Sequence, residues 1–159
     1  MKILIAEDDR SIAKGLKVFL LNKENEVIVA ENGEAALKLA LREKPDLIIS
    51  DVKMPIKTGL ELLRELREMH NTIPFIVVTA HATVKNAVTA LKIGADDFLL
   101  KPLDLEELGL KIDKISKEIR LKRENLSLKS KLKHIQQPMI IGNSEAIKTV
   151  RQLVDKVKY

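Results

Sequence analysis

Five short, largely apolar runs punctuate the first hundred residues: Ile3–Ala6, Val27–Ala30, Leu47–Ser50, Phe75–Thr79 and Asp97–Leu100. Their continuous apolar character, in place of in-out alternation, suits strands covered on both faces, as in a parallel sheet. Helical spacing marks the stretches between them. Ile12, Leu16 and Phe19 form one stripe; Leu37, Ala40 and Leu41 a second; Leu63 and Leu66 a third; Val84, Val88 and Leu91 a fourth. Parallel neighbours need crossover connections, so the pattern predicts an α/β fold with a doubly wound five-stranded parallel sheet. Pro45, Pro74 and Gly94 mark helix ends, and Asp104-Leu105-Glu106-Glu107 has the spacing that starts a fifth helix.

In such sheets chemistry sits outside the carboxyl ends of the strands. Those ends carry Glu7, Asp8 and Asp9 after the first run, Asp51 after the third, Thr79 after the fourth and Lys101 after the fifth. A dinucleotide site would place a glycine-rich turn where the acids stand, so that reading fails. Glu7, Asp8 and Asp51 brought together would repel one another unless protonated or bridged by a cation. Mg2+ fits best, because it binds one or two carboxylates while keeping water and phosphate oxygens. Lys101 adds a fixed positive charge and Thr79 a hydroxyl donor. Together these make a phosphoryl-transfer site, and a carboxylate is an accepted covalent phosphate carrier. A single acid at a strand end is more often a helix cap, the role expected of Asp9. An aspartate-based phosphatase is disfavoured, since enzymes resembling the haloacid dehalogenase family carry D-x-D after the first strand, where this chain has Glu7-Asp8-Asp9.

The chain has no cysteine, which removes disulfides, thiolate metal sites and cysteine nucleophiles. No apolar run reaches membrane-spanning length, and the start turns acidic too early for a signal peptide, so a cytoplasmic location is expected. The net charge of +5 is local. Residues 1–110 hold 15 basic and 18 acidic groups, whereas residues 111–134 hold 9 and 3. From Asp104 to Ile135 only Gly109 weakens a helix that would run about 48 Å. Leu105, Leu108, Ile112, Ile115 and Ile119 form one apolar stripe; Leu121, Asn125, Leu128, Leu132 and Ile135 continue at heptad spacing. The first stripe is expected to pack on the sheet and the second on another copy, with Asn125 setting register in a parallel coiled coil. A solvated single helix is the competing reading. The segment has no aromatic anchor for a membrane or for stacked bases.

Four stretches carry a family resemblance: Ile5-Ala6-Glu7-Asp8-Asp9, Asp51 through Gly59, Val78-Thr79-Ala80 and Phe98-Leu99-Leu100-Lys101-Pro102. On these the chain resembles the response regulator receiver domains of two-component signalling, which implies a flavodoxin-like sheet of order 2-1-3-4-5. The resemblance implies that Asp51 is the phosphoacceptor and that Asp8 and Glu7 hold Mg2+ directly or through water. It makes the Lys53 backbone carbonyl a metal ligand, Thr79 the switch hydroxyl, Lys101 the phosphate-pairing lysine and Phe98 the switch aromatic. Phe98 reads equally well as a core residue. A cis Lys101–Pro102 bond is implied too. Glu7 and Thr58 depart from the commoner aspartates, and Thr58 can still cap the following helix. The implied partner is a sensor histidine kinase, and the chain itself is a phosphoacceptor switch rather than an enzyme.

Past Gln136-Gln137-Pro138, the run Met139-Ile140-Ile141-Gly142-Asn143-Ser144 resembles the start of the AAA+ domain of NtrC-type, sigma-54-dependent transcription activators. No G-x-x-x-x-G-K-[ST] follows. The expected organisation is a receiver over 1–120, a helical linker over 121–137 and the truncated start of an ATPase domain over 138–159. That resemblance implies a homodimer through the linker helix and a receiver face. It also implies, in the full-length protein, DNA and sigma-54 RNA polymerase as partners. The alternative is a stand-alone receiver acting as a dimerisation or interaction module.

Overall fold

The computed structural model describes residues 1–80 and 84–135. Strands β1 (Lys2–Ala6), β2 (Glu26–Ala30), β3 (Leu47–Asp51), β4 (Phe75–Thr79) and β5 (Asp97–Leu100) alternate with helices α1 (Arg10–Asn22), α2 (Gly33–Glu43), α3 (Gly59–Glu68), α4 (Val84–Ile93) and α5 (Leu105–Ile135). The strands form one parallel sheet of order 2-1-3-4-5, as expected. Central strands β1, β3 and β4 are apolar on both faces because helices cover both. Ile3 and Ile5 face α1 and α5 together with Ile49 and Val78, packing on Leu16, Leu20, Leu108, Ile112 and Ile115. Leu4 and Ala6, one residue out of phase, join Ile48 and Val77 in the opposite core with Leu37, Leu62, Leu63 and Leu66. Edge strand β2 is only half-buried over most of its length.

Local chemistry places the helix ends. Asp9 caps α1, accepting from the Ser11 and Ile12 N–H groups. Asn32 caps α2 through Ala35 N–H, and Thr58 with Glu61 forms a complete capping box on α3. Asp104 accepts the Glu106 and Glu107 N–H groups at the start of α5. α2 ends on Lys44 in the left-handed region (φ 47°), ahead of Pro45. Gly94 (φ 110°) follows the last turn of α4.

Two stripes differ from expectation. Leu41 is exposed while Leu37 and Ala40 are buried. On α4, Val88 and Leu91 point outward and the small Ala90 is fully buried against the sheet. Periodicity correctly put Val88 and Leu91 on one face, but that face is the outer one. Gly109 faces Phe19 of α1 and the end of Lys23, which caps that helix, reaches over the Phe19 ring and points toward Asp113.

The chain divides into two compact units, Met1–Ile119 and Arg120–Tyr159. Within the second, the helix leaves Leu121, Leu126, Leu128 and Leu132 exposed. The expected start of an ATPase domain, residues 138–159, lies outside the described residues. Among the described residues no helix is long and apolar enough to cross a membrane.

Candidate functional site

Parallel register brings the strand ends to one edge. Asp51 stands opposite Val78, one residue before Thr79, and Thr79 opposite Leu100, one before Lys101. The Lys101 N–H donates to the Thr79 carbonyl at 2.9 Å, so the β5 exit is tied to the β4 exit. Thr79 and Asp51 are both buried, and so is Glu7, whose N–H donates to the Ala30 carbonyl of β2.

Lys101 is the centre of the arrangement. Its Nζ lies 2.6 Å from Asp51 Oδ2 and 2.8 Å from Glu7 Oε2. Asp51 Oδ1 accepts the Lys53 N–H at 3.1 Å, and Glu7 Oε1 accepts the Asp9 N–H at 3.2 Å. Burial pushes the Glu7 carboxyl above its ordinary range, only partly offset by Lys101 and the Asp9 N–H. Burial also acts to lower the Lys101 pKa, but the hydrogen bonds to Asp51 and Glu7 outweigh it, leaving the ammonium firmly charged. The Lys101–Pro102 bond is cis.

Asp8 is exposed beside this pair. Oxygen atoms of Glu7, Asp8 and Asp51 lie within 4.8 Å of one another, a set of hard carboxylate ligands suited to a small divalent cation. One ammonium sits among these three carboxylates, so a cation added there lowers the electrostatic cost of the cluster. Phe98 is half-buried on β5, against the core under α2, α3 and α4.

Two glycines hold the edge together. A Cβ on Gly59 would run into the Asp51 carbonyl, and one on Gly33 into the Lys57 carbonyl. Gly59 N–H donates to Val52 O and Gly33 N–H to Lys57 O, so the loop after β3 is stitched at both ends. Local spacing assigns no role to Glu34, Lys57 or Glu65. Lys57 Nζ lies 3.0 Å from Glu34 and 2.6 Å from Glu65, joining α2, the loop and α3. These partners are far apart in the chain, so no local spacing announces them.

A family model for the response regulator receiver domain matches residues 3–113. The chain belongs to that family. This receiver is 40% identical over 112 residues to response regulator MprA of Mycobacterium leprae, covering 70% of this chain and 49% of that protein. It is 35% identical over 140 residues to regulatory protein AtoC of Escherichia coli, covering 84% of this chain and 30% of that protein. Among solved structures, the receiver domain of Francisella response regulator 1452 superposes with a TM-score of 0.72 at 33% identity, covering 74% of this receiver's chain and 98% of its own. A response regulator receiver domain protein from Clostridium thermocellum gives 0.71 at 30%, covering 76% and 97%. The chain spans about half the length of a curated relative such as MprA.

Proposed function

We propose that the protein is a phosphoacceptor switch that takes a phosphoryl group from a sensor histidine kinase onto Asp51. The observation that carries this is the Lys101 ammonium between Asp51 and Glu7, at an edge where Asp8 completes an acidic cluster. Glu7, Asp8, Asp51 and the Lys53 carbonyl would hold Mg2+, which supplies charge neutralisation for the transferred phosphoryl group. An Asp51 carboxylate oxygen forms the new P–O bond as the donor's P–N bond breaks. Lys101 then pairs with a phosphoryl oxygen, and the Thr79 hydroxyl donates to another. Phe98 shifts with Thr79, altering the outer face of α4, β5 and α5.

That face carries exposed Val88, Leu91 and Leu100, and it is proposed to pair with a second receiver. The exposed Leu121, Leu128 and Leu132 support a coiled-coil seam between two linker helices, with Asn125 in register. The likeness to AtoC, which extends over 140 residues and 84% of this chain, supports an NtrC-type setting. There phosphorylation would govern assembly of an attached sigma-54-dependent ATPase acting with DNA and sigma-54 RNA polymerase. The receiver itself turns over no external substrate. Incubation with acetyl phosphate and Mg2+ followed by intact mass should show one phosphoryl group. No gain, or a gain that persists in Asp51→Ala, would defeat the reading.

A further inference from the structure

The loop between β3 and α3 contains a backbone conformation that its sequence does not favour. Ile56 has φ 69°, and the Lys57 N–H donates to the Pro55 carbonyl at 2.7 Å, closing a γ-turn in the left-handed region. Positive φ is a genuine outlier for a β-branched residue, and this γ-turn is the rarer, strained form. The Ile56 side chain is 81% exposed, so core burial does not hold it there. Strain of this kind persists only where the surrounding structure over-determines it, and such places cluster at functional sites.

What over-determines it is the next residue. Lys57 is fixed at both ends: its carbonyl accepts the Gly33 N–H, and its side chain, 15% exposed, carries an ammonium shared between Glu34 of α2 and Glu65 of α3. Upstream, Met54 is buried and the Lys53 N–H is held by Asp51 Oδ1. The strained turn is therefore suspended between the Lys57 clamp and Lys53. Without the clamp, Ile56 would be free to return to negative φ, and Pro55 and the short segment leading back to Lys53 would move with it.

We infer that Lys57 is a positioning residue: its ion pairs to Glu34 and Glu65 hold the strained Pro55–Lys57 turn so that the Lys53 carbonyl and Asp51 stay in metal-binding register. This rests on the proposed reading of the acidic cluster as a Mg2+ site. The mechanism differs from simple loop stabilisation, because it links the clamp to the strain one residue away. Removing the strain must then lessen the need for the clamp.

The test uses the full 159-residue chain and MgCl2 alone, with affinity read by titration calorimetry. Groups that orient metal ligands are typically worth about 10–100-fold in affinity, so Lys57→Met should weaken Mg2+ binding by about tenfold. Lys57→Arg, which can still bridge the two glutamates, should restore most of it. Ile56→Gly, placed in the Lys57→Met background, should also recover most of the loss, since glycine adopts φ 69° without strain. Glu65→Gln reads the same clamp by a change that keeps side-chain volume, and should weaken Mg2+ several-fold even if Lys57→Met fails to fold. Wild-type affinity in both Lys57→Met and Glu65→Gln overturns the inference, as does a loss that neither Lys57→Arg nor the Ile56→Gly second change relieves. Absence of Mg2+ binding in the wild type defeats the metal reading itself and this inference with it.

Discussion

Lys101 Nζ stands 2.6 Å from Asp51 Oδ2, closer than its 2.8 Å to Glu7, so one ammonium neutralises the phosphoacceptor candidate and its most buried neighbour at once. Removing it strands two carboxylates in a site that is only partly open. Lys101→Met should destabilise the metal-free protein by about 2–3 kcal/mol, less than for a fully enclosed pair because Lys101 keeps some solvent contact. Saturating Mg2+ should recover more stability in the variant than in the wild type, since the added cation replaces the lost charge. Urea denaturation with and without Mg2+ measures both; equal Mg2+ stabilisation in the two proteins would argue against a shared site.

Gly59 is where α3 starts, directly against the end of β3. A Cβ there collides with the Asp51 carbonyl and approaches Ser50 Oγ, groups that are backbone or buried and cannot swing aside. Gly59→Ala should cost about 2–3 kcal/mol by overpacking. It should also slow acetyl phosphate labelling of Asp51, because the displacement falls on that residue's own carbonyl. By contrast Gly15, with open space around its missing Cβ, should accept alanine with a gain in helix stability of up to about 1 kcal/mol.

The five strands were legible because burial on both faces leaves unbroken apolar runs, whereas their order was implied only by the resemblance to receiver domains. The strand-end residues Glu7, Asp51, Thr79 and Lys101 were legible because parallel register delivers consecutive strand ends to one edge. Asp8 joins them as the residue next to Glu7. The inward face of α4 was not legible. A stripe such as Val88 and Leu91 says which residues share a face, and only packing shows that Ala90 is the one turned to the sheet. The Lys57 clamp was hidden for a different reason. Its partners Glu34 and Glu65 lie on two helices whose approach depends on the assembled fold, and Ile56 gives no glycine signal for its positive φ.

The α3 capping box makes a pH prediction with a definite sign. Glu61 accepts both the N–H and the hydroxyl of Thr58 at 2.7 Å, and the backbone N–H in particular holds its pKa below the ordinary 4.5. A lowered folded-state pKa means that the unfolded chain binds the proton first as pH falls. The stabilisation is therefore complete above pH 4.5 and is lost as the pH drops through the lower folded value. Glu61→Gln should flatten the acid limb of a melting-temperature profile below pH 4.5 relative to wild type. Thr58→Ala should cost about 1 kcal/mol at neutral pH, where both halves of the box are intact.

Dimerisation through the linker is testable without phosphorylation. Leu121, Leu128 and Leu132 are exposed along the helix of the second unit, each far more open than a buried core leucine. A parallel pair would cover them and place Asn125 opposite its copy, which favours two strands and one register at some cost in stability. Sedimentation velocity at high micromolar concentration should show a dimer. Leu128→Glu should shift it to monomer, because like charges would face each other across the seam, while leaving the melting of the receiver unit unchanged. Asn125→Leu should tighten association yet admit higher oligomers, since the apolar seam no longer penalises them. A wild-type monomer throughout the concentration range would reject the seam, and a dimer indifferent to Leu128→Glu would move the interface to the outer face of α4 and β5.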